Sequence, residues 1–254
     1  MTTPARLEIV PLLDFPQLEA PCHLGELVVA SLKENQLTPR QGDALVVAHK
    51  IISKAEGAVI DLNTITPSEK AIDIAQQTGK EPEMIEVILG QSKKIVRQGH
   101  GVIICENLLG LICANAGVDR SNAGEDKVVL LPENPDRSAN QLRQYLKAEY
   151  EVDIAVFVAD THGRPWREGA IGMCIGLSGA DPFLDYRGQH DLYDYEMQTE
   201  IECVADELCA AATLLMGQGN EGIPLVLIKG ANLSIDSKAS SDGLLRDPER
   251  DLFR

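Results

Sequence analysis

Aromatic side chains are scarce in this chain of 254 residues. Phe, Trp and Tyr supply 4% of it, so its cores must be built from Leu, Ile, Val and Ala. Positive charge is scarce as well: 23 Lys and Arg face 39 Asp and Glu, a formal net charge of −16. A chain this acidic is a poor general binder of nucleic acid or of anionic membrane. If it handles phosphates, it needs metal ions and a local cluster of Lys, Arg or backbone N–H groups. No apolar run reaches the roughly 18 residues that span a bilayer. Met1 to Val10 has no basic segment followed by an apolar one, so no signal peptide is expected. The six cysteines (Cys22, Cys105, Cys113, Cys174, Cys203 and Cys209) include no CxxC pair. Cys105, Cys113 and Cys174 stand in apolar stretches and read as buried, reduced thiols, which implies a cytoplasmic protein. Also missing are the GxxxxGK[ST] phosphate loop and the HExxH and GxSxG patterns.

What is present suits a globular protein: 44% hydrophobic and 24% charged residues, long enough for one large or two small domains. Strand and helix patterns alternate, which predicts a mixed α/β (α+β) fold. Strands are expected over Leu7 to Leu13, Ala44 to Ala48, Gly101 to Cys105, Leu109 to Ala114, Ile154 to Ala159, Ile171 to Leu177 and Pro224 to Ile228. Helices are expected over His23 to Glu34, from Ser68-Glu69 to Gly79, from Pro82, over Ser138 to Tyr145 after a turn at Pro132 to Asp136, and over Thr199 to Met216. The run from Ser234 to Arg254 reads as an irregular polar tail. Seams between subdomains are expected near residues 121–128 and near Tyr186.

Several runs carry candidate chemistry. His49, Lys50 and Lys54 follow a buried strand, where α/β proteins collect ligands; the alternative is a solvated strand end. Asp119 and Asp160 each follow an apolar strand and open a polar loop, with Thr161 adding a hydroxyl beside Asp160. Such carboxylates suit Mg²⁺ or Mn²⁺, or else they cap turns. Arg164 and Arg167 flank Pro165-Trp166 and suit anions, or a surface pairing with Glu168. Gly217 to Gly222 is a loop whose backbone N–H groups can approach phosphates, or a plain connection. Residue types alone therefore indicate a divalent-metal and phosphate site.

The runs AHKIISKAEG, CANAGVDRSNAG, LLPENPDRSANQLR, VADTHGRPWREG, DYRGQHDLYD and ECVADELCAAATLLMGQG, in that order, resemble the coenzyme F420-0:L-glutamate ligases. The tail LLRDPERDLFR resembles the end of the ligase domain in longer bacterial members. The likeness runs from about Phe15 to Arg254. It implies a two-part α/β fold over residues 1–254, an intertwined homodimer, and none of the flavin-binding domain that follows in the longer members. It also implies an enzyme that joins the carboxylate on the lactyl-phosphate arm of F420-0 to the amine of L-glutamate. GTP becomes GDP and phosphate, further gamma-linked glutamates can follow, Mn²⁺ or Mg²⁺ is required and K⁺ assists.

By the same resemblance Asp119, Asp160 and Thr161 are metal positions, and His49, Lys50, Lys54 and Asn122 are nucleotide positions. Leu214, Leu215, Met216, Gly217, Gln218, Gly219, Asn220 and Glu221 form a nucleotide loop, in which either Met216 or Gln218 gives a second metal contact. Phe15, Pro16, Gln17 and Leu18 loosely match the first nucleotide segment. Lys50, Lys54 and Arg164 supply catalytic positive charge. Pro21-Cys22-His23 stands where the family usually has Gly-Asp-Asp, which leaves GTP and ATP both open. Two other readings stay open: an amide ligase of this family acting on another acid, and a nucleotide-binding dimer without catalysis.

Overall fold

A computed structural model describes residues 6–99, 101–233 and 235–252 of the chain. Its main sheet is built on β1 (Glu8–Pro11), β2 (Ala44–Ala48), β8 (Ala155–Arg164), β9 (Arg167–Ala180), β12 (Leu225–Lys229) and β13 (Ile235–Asp236), in the order β1-β12-β2-β8-β9-β13. β2 and β8 run parallel; the other neighbours are antiparallel. The central strands are apolar at nearly every position because both faces are covered. Leu45, Val47, Val156, Val158, Leu225 and Leu227 face a core shared with α1 (Leu24–Glu34), α2 (His49–Ala55) and α5 (Pro135–Tyr150). Their alternates, Val46, Phe157, Ala159, Val226 and Ile228 among them, face α6 (Val204–Met216). The period-two pattern of the strands thus fixes which helix covers which face.

Between α2 and α5 the chain builds a second, smaller core. It contains α3 (Glu69–Thr78), α4 (Pro82–Gly90), the three-stranded meander β4 (Ser92–Gly99), β5 (Val102–Asn107) and β6 (Ile112–Ala114), and the pair β3 (Val59–Asp61) with β7 (Lys127–Val129). Ile85, Ile88, Ile103, Cys105 and Val128 are buried there. The ends of α3 form as their residues direct: the Ser68 hydroxyl accepts from the Ala71 N–H, and Gly79 closes the helix at φ 71°. A last pair, β10 (Phe183–Asp185) with β11 (Ile201–Cys203), carries an arm on which Leu192 and Tyr193 are almost fully exposed.

The structure corrects several expectations. The polar run after Ala159 is not a loop: β8 continues to Arg164, paired with β9 as far as Arg167. The run after Ala48 is helix α2, not a strand end. α5 begins at Pro135 because Asn134 accepts from the Arg137 N–H at 2.8 Å, so the expected turn is the helix start. α6 begins only at Val204, because Ile201–Cys203 pair with β10. β4 was not expected; its Lys93, Lys94, Arg97 and Gln98 are exposed and leave no alternating pattern to read. In the expected tail, β13 joins the sheet and two short 3₁₀ turns form at Ser241–Leu244 and Pro248–Arg250; Ser234, Phe253 and Arg254 lie outside the described residues. Cys105, Cys113 and Cys174 are buried, as their apolar surroundings predict, and Cys22 is exposed.

Candidate active site

The parallel pair β2–β8 ends at Ala48 opposite Ala159, and everything that follows opens into one cleft. Carboxyl ends of neighbouring parallel strands commonly hold ligands. Here β2 passes directly into α2, which delivers His49, Lys50 and Lys54; the two lysines stand one helical turn apart on one face. β8 delivers Asp160 and Thr161 just past the last residue paired with β2. The loop from Asn115 to Gly124 brings Asp119 and Asn122, and the loop after α6 closes the other side. The cleft holds about 430 Å³, within the range of small-molecule sites.

The sequence-predicted residues largely meet here. Phe15 to Leu18, His49, Lys50, Lys54, Asp119, Asn122, Asp160, Thr161 and Met216 to Glu221 all line the cleft. Arg164, Leu214 and Leu215 are outside that lining. Leu214 is exposed on α6, and Arg164 sits at the far end of β8, where its Nη2 donates to the Glu168 carbonyl at 3.3 Å. Its expected surface partner is therefore the backbone of Glu168.

The polar contacts are specific. Lys50 Nζ lies 2.8 Å from Asp119 Oδ2 and also donates to the Ser121 hydroxyl. The Ser121 N–H donates to Asp119 Oδ1 at 2.7 Å. Burial pushes the Asp119 carboxyl up, but Lys50 and Ser121 outweigh it and hold it below the usual carboxylate range. Lys54 is lowered from its ordinary value, first by burial and then by the charge of Lys50. Two clustered ammonium groups in an otherwise acidic protein form the local positive patch that the net charge demands of a phosphate site. Asn122, at φ 56°, donates to the Gly219 carbonyl at 3.1 Å and ties the two loops together.

Asp160 is nearly buried between two histidines. His162 Nε2 lies 2.9 Å from its Oδ2, His49 Nε2 lies 3.3 Å from its Oδ1, and the Thr161 N–H donates to Oδ1 at 2.7 Å. Burial pushes this carboxyl up, yet the two histidines outweigh it and keep it far below the usual range. Burial, followed by the charge of Asp160, pushes the nearby Cys113 thiol up to about 12, so it stays protonated beside the site. On the opposite face of β8 the Thr161 hydroxyl donates to Gln218 Oε1 at 3.0 Å.

No three His, Cys, Asp or Glu among the described residues are arranged to hold a metal by themselves. The donor set nevertheless fits a hard divalent ion bound together with a phosphate ligand, since Mg²⁺ and Mn²⁺ commonly take one or two protein carboxylates and complete their shell with phosphate oxygens and water. Asp119, Asp160, the Thr161 hydroxyl and the Gln218 carbonyl oxygen are such donors, and the Lys50 ammonium already occupies a cation's place on Asp119.

The F420-0:gamma-glutamyl ligase profile matches residues 13–230. The chain belongs to that family. Among its relatives, the coenzyme F420:L-glutamate ligase of Methanothermobacter thermautotrophicus is 42% identical over 94% of this chain and 95% of its own length. The protein of the same name from Methanopyrus kandleri is 44% identical over 91% of each chain. That from Archaeoglobus fulgidus is 36% identical over 98% and 97%. The matched stretch includes every lining residue of the cleft.

Two contributors were not singled out from the sequence. Ser121 binds both Asp119 and Lys50 and follows Asp119 by two residues, the spacing of an Asx turn. His162 follows Asp160 by two residues, which on a strand puts both side chains on one face. That signal was readable only for a strand, and the run reads as a loop.

Proposed function

We propose that the chain is a ligase that adds L-glutamate to F420-0, using GTP and a divalent ion, through an acyl phosphate. The observation that carries this is the single cleft, in which paired lysines, two carboxylates and a glycine-rich loop converge within a chain of this family. The gamma-phosphoryl group passes to the acceptor carboxylate as its bond to GDP breaks. The glutamate amine then attacks the acyl carbon, and phosphate leaves as the amide forms.

Lys50 and Lys54 bind the phosphate oxygens and offset charge as the phosphoryl group moves. Asp119, Asp160 and Thr161, with Gln218 or the Met216 carbonyl, hold the ion. Mn²⁺ or Mg²⁺, when bound, reduces repulsion among the anions and polarises the transferring group. Asn122 and the loop from Gly217 to Gly222 cover the nucleotide, and Phe15 to Leu18 line the cleft beside it. A homodimer and an assisting K⁺ belong to the proposal through the family resemblance alone. A further glutamate can add to the first by the same chemistry.

The test is coupling. GDP and phosphate are expected in equal amounts only when both F420-0 and L-glutamate are supplied, with GTP better than ATP. Phosphate release that ignores both acceptors would contradict the assignment.

A further inference from the structure

His162 follows Asp160 and Thr161 on β8. It is 7% exposed, at the end of the buried part of β8, and among the described residues its ring is ion-paired with Asp160. Its Nε2 is 2.9 Å from Asp160 Oδ2, while His49 Nε2 and the Thr161 N–H take Oδ1 from the other side. Both oxygens of one nearly buried carboxylate are therefore held from opposite directions. The flanking groups come from different elements: α2 supplies His49, and β8 supplies the other two. An aspartate side chain has two rotatable bonds, and this arrangement stops both.

We infer that His162 is a positioning residue, which fixes the rotation of the Asp160 carboxylate so that the remaining lone pair of Oδ2 points into the cleft. This rests on the reading of Asp160 as a cation ligand. Each carboxylate oxygen carries two lone pairs; Oδ1 already holds two contacts, whereas the single contact on Oδ2 leaves its other pair for an ion. Without the Nε2 contact, Oδ2 turns, and the ion meets a mobile carboxylate. Hydrogen-bond partners of metal-binding carboxylates commonly change metal affinity by about 10- to 100-fold when removed.

The geometry also says which replacement works. The donor is Nε2, the far ring nitrogen. A glutamine amide reaches that position; an asparagine amide ends near the other ring nitrogen and falls short.

The experiment measures Mn²⁺ binding, with Mn²⁺ alone, to the full chain by electron paramagnetic resonance of the free ion. His162→Leu and His162→Asn are expected to bind about 10- to 100-fold more weakly than the unaltered chain, and His162→Gln within a few fold of it. A histidine with a merely structural role would lower thermal stability in all three without ordering their Mn²⁺ affinities. If His162→Leu does not fold, the contrast between Gln and Asn decides. Equal affinity in the Gln and Asn variants, unchanged affinity in the Leu variant, or an unaltered chain that binds no Mn²⁺ overturns the inference. Because neither nucleotide nor acceptor is present, the outcome is separate from the ligase reading. Ordered affinities in a protein that ligates nothing would keep the inference and remove the function; ligation with unordered affinities would do the reverse.

Discussion

At the scale of single residues, the site pairs both of its aspartates, Asp119 and Asp160, with basic side chains. Lys50 on Asp119 is the clearest case, with Nζ 2.8 Å from the carboxylate. An ammonium there and a divalent ion on the same oxygens compete. Lys50→Met is therefore expected to bind Mn²⁺ several-fold more tightly in the absence of nucleotide while losing turnover, because the competitor and the phosphate contact vanish together. Calorimetry on the nucleotide-free protein checks this; weaker Mn²⁺ binding would show that Lys50 supports the ion rather than displacing it. The sequence already pointed to Lys50, Asp119, Asp160 and Thr161 through residue type and resemblance. It could not show that Lys50 and Asp119, far apart in the chain, neutralise each other, because that contact depends on how the Asn115 to Gly124 loop folds back over α2.

At the scale of elements, two features make predictions. Gly217 ends α6 at φ 69° and ψ −171°, a combination almost confined to glycine, and a Cβ there would meet the Glu221 carboxylate at 2.2–2.5 Å. Gly217→Ala costs about 1–3 kcal/mol of local strain, and the loop must shift to relieve it. Nucleotide affinity should fall by about tenfold or more, read by equilibrium binding of a fluorescent GTP analogue; an unchanged affinity would show that the loop does not need this conformation.

The second feature is the ion pair that ties α5 to the start of β8. Asp153 accepts from the buried Arg143 at 2.7 Å and from Lys147 at 2.8 Å. Burial pushes its carboxyl up, but these two cations outweigh that and hold it below the usual range. A depressed carboxylate contributes stability that is full above the ordinary Asp value, about 3.9, and is lost as pH falls through the depressed one. Asp153→Asn should therefore flatten the acid side of the stability profile, followed by thermal melts below about pH 5; a profile parallel to that of the unaltered chain would contradict the pairing. Helix and strand existence was legible wherever periodicity was strong, as in Ala44 to Ala48 and in the helix after Ser68. It failed where pairing rather than pattern decides: β4 is polar on its exposed side, and the Asp160 to Arg164 segment is a strand only because β9 lies beside it.

At the scale of the whole molecule, the −16 charge and a cleft for anions are reconciled by geography. The acidic excess is spread over the surface, while Lys50 and Lys54 are placed together at the carboxyl end of β2. Among the described residues no helix is long and apolar enough to cross a membrane. The arm between β10 and β11 exposes Leu192, Tyr193 and Tyr195, an apolar face that suits the proposed homodimer. Light scattering should then give a mass near twice 27.6 kDa; a monomer at micromolar concentration would remove that part of the proposal. The sequence suggests seams near residues 121–128 and Tyr186 but carries no linker or shift in residue usage that would mark the extent of the arm or of the second core.

The central claim is tested most directly by the mass of the acceptor. F420-0 is incubated with L-glutamate, GTP and Mn²⁺, with the unaltered chain or with Asp160→Asn, and the products are read by mass spectrometry. Glutamyl additions are expected with the unaltered chain and Mn²⁺. They should be absent when the ion is chelated, and nearly absent in Asp160→Asn, whose circular dichroism should match that of a folded protein. An acceptor of unchanged mass in every reaction, or a fully active Asp160→Asn variant, would contradict the account.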